Sequence, residues 1–220
     1  MKRVHFLLFT VCCLSLTVFL WSCGNGPGSP GSTGSENTGV VVDATITPVP
    51  SYSVDAFQGY CCGTEEIASG AACSTGTPTL ERFTDQDATV TINASLLNPN
   101  TKFQVGTLYV EKYTVEFRRS TDSIGAPPIE EIIDGTVGMP VVITPPTGTS
   151  ISPFTTTVVL VDLTRKIQYA SDIASGNYTP NNLNNYTAIY TFYGENEFGQ
   201  KFSFQAQTGF QIGDFNNCGG

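Results

Sequence analysis

From Lys201 to Ile212 apolar and polar side chains alternate without a break. Phe202, Phe204, Ala206, Thr208, Phe210 and Ile212 fall on one side, and Lys201, Ser203, Gln205, Gln207, Gly209 and Gln211 on the other. A period of two is the mark of a strand with one buried face. The same alternation sets Ala88, Val90, Ile92, Ala94 and Leu96 against Thr89, Thr91, Asn93 and Ser95, and it recurs at Val40, Val42, Ala44 and Ile46. Tyr113, Val115 and Phe117 alternate with Thr114, Glu116 and Arg118, while Tyr186 to Tyr193 predicts a further strand that Gly194 to Gly199 returns to Lys201 as a hairpin. The β-branched run from Thr155 to Leu163 predicts a strand covered on both faces. No window of helical length carries a 3.6-residue apolar stripe, and the nearest, Asp162 to Ala174, predicts one or two turns at most. Gly and Pro punctuate these segments as turns, so the layout is all-β, with about seven to nine strands in two packed antiparallel sheets.

The strand spacing and the final hairpin resemble the immunoglobulin-like sandwiches of bacterial envelope proteins. Tyr186-Thr187-Ala188-Ile189-Tyr190-Thr191-Phe192 looks like the penultimate strand of such domains. The likeness covers the last two-thirds of the chain. It departs from antibody domains, which have a core tryptophan and a cysteine pair between the sheets, so it implies a fold and no ligand.

At the other end of the chain, Lys2 and Arg3 precede an apolar run from Phe6 to Trp21 that contains no charge. A basic start, an apolar core and a small-residue processing site make a secretory signal, residues 1–22 here. The run is shorter than the roughly 20 apolar residues a spanning helix needs. Leu20-Trp21-Ser22-Cys23 resembles the lipobox of bacterial lipoproteins, with Trp21 standing where the family usually has a small residue. The resemblance implies a lipid on Cys23, and Gly24 after it resembles the outer-membrane pattern rather than the aspartate that retains such proteins at the inner membrane. Residues 23–39 offer no apolar side chain to bury apart from two prolines, so they predict a flexible tether with a root-mean-square reach of roughly 20–25 Å. Residues 40–220 are expected to form one domain.

Removing residues 1–22 takes away two of the ten basic residues and none of the nineteen acidic ones, leaving eight against nineteen and a net charge of −11. That field repels phosphate backbones, so no nucleic-acid partner is expected. The leader also holds the only histidine, His5, and the only tryptophan, Trp21. Without histidine the mature chain cannot assemble a Ser-His-Asp or Cys-His site, a His-ligated metal or an attached haem, and no cofactor is expected.

Four cysteines remain for the domain: Cys61, Cys62, Cys73 and Cys218. In an oxidising envelope an even count predicts two disulfides. A bond between the neighbours Cys61 and Cys62 would need a distorted peptide unit, so one of them is expected to bond Cys73 and the other Cys218, in an order left open. Paired Cys-x-x-Cys spacing of the zinc or iron–sulfur kind is absent. The stretch 58–78 then reads as an irregular stapled loop.

The candidate chemistry is thin. Asp85 and Asp87 could offer oxygen to Ca²⁺ with help from Asn181 to Asn185, but the EF-hand spacing is missing and Asx residues at turns usually bond their own backbone. Glu65-Glu66 and Glu130-Glu131 with Asp134 are the acidic clusters, and solvated surface is their ordinary role. Tyr52, Tyr60, Tyr169 and Tyr178 are the tyrosines expected to be exposed for stacking. The expected function is a non-catalytic, outer-membrane-anchored module that binds an envelope protein or serves a structural role. Carbohydrate binding or adhesion is the alternative. A hydrolase using carboxylates alone, with Glu131 as its candidate, is the second.

Overall fold

The computed structural model describes residues 38–67, 72–74, 76–98, 106–143 and 152–218. Cys23 and most of the tether lie outside them. Folded structure begins slightly earlier than the composition suggests: Thr38 is buried, its hydroxyl accepts from the Val40 N–H, and the Gly39 carbonyl accepts from the Leu97 N–H at 2.9 Å.

The fold is an all-β sandwich. One antiparallel sheet has the order β1-β6-β9, with β1 at Val40–Val49, β6 at Gln86–Leu96 and β9 at Ser152–Val161. The facing sheet has the order β2-β11-β10-β7-β8, with β2 at Ser53–Asp55, β7 at Leu108–Arg119, β8 at Ile132–Ile143, β10 at Leu183–Asn196 and β11 at Lys201–Gly213. Its one parallel pairing is the short β2 against the end of β11. The alternation along β11 is borne out position by position: Phe202 to Ile212 point inward and are buried, and Lys201 to Gln211 point outward.

The two sheets divide the core by side-chain size. Sheet β1-β6-β9 contributes Val42, Ala88, Val90, Ile92 and Ala94, and the facing sheet contributes Tyr186, Tyr190, Phe192, Phe202, Phe204 and Phe210. Small residues on one side leave room for rings on the other, which stack in series, Phe192 on Phe204 at 5.0 Å and Tyr186 on Phe210 at 5.7 Å. Two of the rings also reach across the core to β9. The register shift opposite Gln86 and Asp87 puts an additional β9 residue into the ladder, and Val159 there donates its N–H to the Tyr113 hydroxyl at 3.0 Å while its carbonyl accepts from the Tyr190 hydroxyl at 2.9 Å.

Three expectations need correction. β9 is covered on one face only: Val158, Leu160 and Val161 are buried while Thr155 and Thr157 are exposed, because β-branched residues suit either face of an edge strand. Asp162–Ala174 is not one or two turns. Leu163–Ala174 is a twelve-residue helix, α1, started by Asp162, whose carboxylate accepts from the Arg165 N–H at 2.8 Å. Its buried face is Lys166 and Tyr169 with Ile173 packed alongside, and a lysine in the stripe hides the periodicity. The stretch 58–78 is not wholly irregular either. Tyr60–Cys62 (β3) and Glu65–Ile67 (β4) join Thr79–Leu80 (β5) in a small sheet of order β4-β3-β5, with Gly63 taking the left-handed turn between β3 and β4 at φ +77°.

Candidate functional site

Adjacent residues of a strand point to opposite faces, and this decides the cysteine pairing. Cys61 of β3 is buried and bonds Cys218, while Cys62 turns outward and bonds Cys73. The first bridge spans 157 residues and brings the segment 214–218 against the small sheet. Two buried carboxylates hold that segment in place. Asp55 accepts from the Phe215 N–H at 3.3 Å and from the Asn217 amide at 2.8 Å, and Glu81 accepts from the Asn217 N–H at 3.1 Å and from the Gly59 N–H. Burial pushes Asp55 up to about 6, with the nearby Glu81 charge adding to the rise and the Phe215 and Phe57 N–H groups opposing it. Glu66 of β4 rises to about 7 through burial and the charges of Asp214, Glu81 and Asp55.

Beside this corner opens a groove of about 600 Å³. One wall is the turn after β1, where the chain passes from Val49 through a cis peptide to Pro50 and on to Ser51. The segment from Arg82 to Asp87 forms a second wall, Lys166 of α1 a third, and Asn216 and Asn217 of the stapled tail a fourth. Gln86 ties the first two together, its amide donating to the Val49 and Ser51 carbonyls.

Lys166 is the unusual lining residue, only 3% exposed. Its ammonium donates to the Thr84 carbonyl at 2.7 Å and sits 5.3 Å from the centre of the Phe83 ring. Burial lowers its pKa, against the attraction of Asp55 and Asp85. Of the three ammonium N–H groups the Thr84 carbonyl takes one.

The calcium candidates Asp85 and Asp87 do meet at this groove, but not as an ion cage. Asp85 accepts from the Leu163 N–H at 2.7 Å, so one of its oxygens serves the start of α1. Asp87 is raised by burial and by the Asp85 charge. Among the described residues no group of three His, Cys, Asp or Glu side chains could hold a metal ion. The asparagine run does not join them. Asn184 bonds the Asn181 backbone in both directions, at 3.1 and 2.8 Å, and Asn185 donates to Asp122 at 2.8 Å.

The remaining candidates are dispersed. Glu65, Glu130, Glu131 and Asp134 are exposed, and the Glu130 and Glu131 carbonyls accept from the Arg165 guanidinium. Glu131 borders a shallow depression on the outer face of the five-stranded sheet, far from the stapled corner in sequence and sheet order. Tyr169 is not an exposed ring: it is 2% exposed and packs edge-on against Tyr186. Tyr60 and Tyr178 are half-buried, and Tyr52 alone of the four is exposed, at 55%. Sequence reasoning missed Asp55, Glu81 and Lys166. For Asp55 a signal was present, a single acid between Val54 and Ala56 at a strand position.

No protein-family profile matches the chain, and no curated protein matches it. Among solved structures the chain is similar to the putative ApaA protein from Bordetella pertussis, at 11% identity and a TM-score of 0.31 over 80% of this chain and 93% of that one. It is also similar to an Arabidopsis thaliana protein solved in solution, at 11% identity and a TM-score of 0.33 over 70% of this chain and 95% of that one. Likeness at this level says nothing of ligand or activity.

Proposed function

We propose that the protein is a non-catalytic binding module of the bacterial envelope, an immunoglobulin-like domain anchored at the outer membrane through a lipid on Cys23, with the groove as its binding site. The observation that carries this reading is the direction of β1. The tether joins the domain at Thr38, the strand starts at Val40, and the groove opens at Val49, the opposite end of the same strand. Ten extended residues span about 33 Å. Added to the reach of the tether, that distance presents the groove well away from the surface holding the lipid. A mature chain without histidine supports a binding role over hydrolysis.

Two experiments test the two halves of the reading. With Cys23→Ser, the domain is expected to move from membrane to soluble fractions; a variant that stays in membranes removes the lipid anchor. Co-purification in mild detergent is expected to recover an envelope component with the full chain and with Gln207→Ala on the opposite outer face, but not with Arg82→Ala combined with Asp87→Asn. Recovery that ignores the groove substitutions rules the groove out as the binding site.

A further inference from the structure

The outer face of sheet β1-β6-β9 leads into the groove row by row. Thr45, Thr91 and Thr155 lie side by side across the three strands, and Thr47, Thr89 and Thr157 form the next row. The row after that is Val49, Asp87 and Val159, and Val49 and Asp87 are already the lip of the groove. Neighbours within a row stand about 4.8 Å apart, and successive rows about 6.7 Å. Six threonines thus present a regular field of methyl and hydroxyl groups. None of the six hydroxyls has a hydrogen-bond partner among the described residues.

This field is close to neutral on a strongly acidic chain. The three strands contain no lysine, arginine or glutamate, and their only charges, Asp43 and Asp87, lie on either side of the threonine rows. The outer face of the other sheet differs, with Lys112, Glu116, Arg118 and Lys201 across it. A protein interface draws most of its affinity from aromatic and arginine anchors, and the threonine face has neither. What hydroxyls and methyls in rows complement is a ligand with the same two features, C–H faces and many hydroxyls.

We infer that groove and threonine face form one extended site for a neutral, hydroxyl-rich oligosaccharide, an inference that rests on the groove being the binding site. A sugar hydroxyl both donates and accepts, and the groove supplies both kinds of partner. The Asp87 carboxylate and the Asn217 amide oxygen accept; the buried Lys166 ammonium and the Arg82 guanidinium donate. From this lip the rest of the chain of sugars runs down the threonine rows.

The test is calorimetric titration of the full chain, purified in mild detergent, with chitotetraose, maltotetraose and, as a zwitterionic contrast, dialanine. At least one tetrasaccharide is expected to bind saturably. Arg82→Ala is expected to weaken it at least tenfold, and so are Thr91→Lys on the central strand and Thr157→Lys on the edge strand, each with its unfolding midpoint checked. Gln207→Lys on the opposite sheet leaves it unchanged. Binding that falls with Arg82→Ala but ignores both threonine substitutions keeps the groove and overturns the extended face. Dialanine binding in place of both sugars, again lost with Arg82→Ala, keeps the groove and overturns the saccharide. If no probe binds at up to about 10 mM, the saccharide is overturned, and the groove is judged separately by whether co-purification is lost with Arg82→Ala combined with Asp87→Asn.

Discussion

The two ends of the sandwich are built on different principles. At the hairpin end, β10 turns into β11 within a few residues, and the turn satisfies itself: Asn196 accepts from the Phe198 N–H at 3.0 Å and the Gln200 N–H at 2.9 Å, and Gly199 takes the left-handed conformation at φ +74°. At the groove end, each important contact joins parts of the chain that are remote in sequence. Cys61 meets Cys218, Asp55 meets Asn217, Lys166 meets Thr84. The hairpin end is therefore stable through local geometry, and the groove end through staples, buried charge and oxidation. A site built in the second way responds to conditions that leave the first untouched.

The largest expected effect separates the ends directly. Replacing Cys61 and Cys218 together by Ala opens a closed loop with a sequence separation of 157. In the chain-entropy picture this costs about 4–5 kcal/mol, against about 3 kcal/mol for removing Cys62–Cys73, whose separation is 11. Denaturant unfolding measures both, and hydrogen exchange is expected to quicken in the tail and the small sheet before the hairpin. Equal exchange at the two ends would dissolve the distinction.

Phe204 is the hairpin half's counterpart, 2% exposed and stacked between Phe192 and Phe202. Phe204→Ala is expected to cost about 3–5 kcal/mol through lost transfer energy and the cavity left behind. Neighbouring Gln205 points outward to Thr191, so Gln205→Ala is expected to stay within about 0.5 kcal/mol. Equal costs would mean that the outer face of β11 is covered.

The pH response comes next and belongs to the groove end. Asp55 and Glu66 are raised from ordinary values of 3.8 and 4.5 to about 6 and about 7. The folded corner holds protons that the unfolded chain has already released, so this contribution is complete below the ordinary values and is lost as pH rises through the raised ones. Asp55 accounts for about 3 kcal/mol of that loss. Thermal unfolding between pH 4 and 8, disulfides intact, is expected to show the decline, with its upper part flattened in Glu66→Gln. A profile unchanged by that substitution would move the cause elsewhere. Asn196→Ala, the smallest of the destabilising changes at about 1–2 kcal/mol, is expected to cost the same at every pH in that range.

The strands were legible because one face of each is buried. Period two in β1, β6, β10 and β11 is a direct record of which side meets the core, and the final hairpin follows from Gly199 and its polar neighbours. The cysteine arithmetic was legible to within one choice, since adjacent residues on a strand cannot both turn toward Cys218. What local pattern could not carry was any element whose environment comes from elsewhere. Leu163–Ala174 escapes the helical period because its buried stripe includes Lys166, which only the Thr84 carbonyl and the Phe83 ring make tolerable there. Thr155 and Thr157 look the same in a covered strand and in an open one.

By itself, then, the amino-acid sequence determines the long strands with one buried face, their inward positions and the small set of possible staples, because each depends on neighbours within a few residues or on counting. Only the tertiary structure decides the groove. Its walls come from the end of β1, the start of β6, the helix and the stapled tail, and the charges of Asp55, Glu81 and Lys166 become meaningful through burial, a property that no residue has alone.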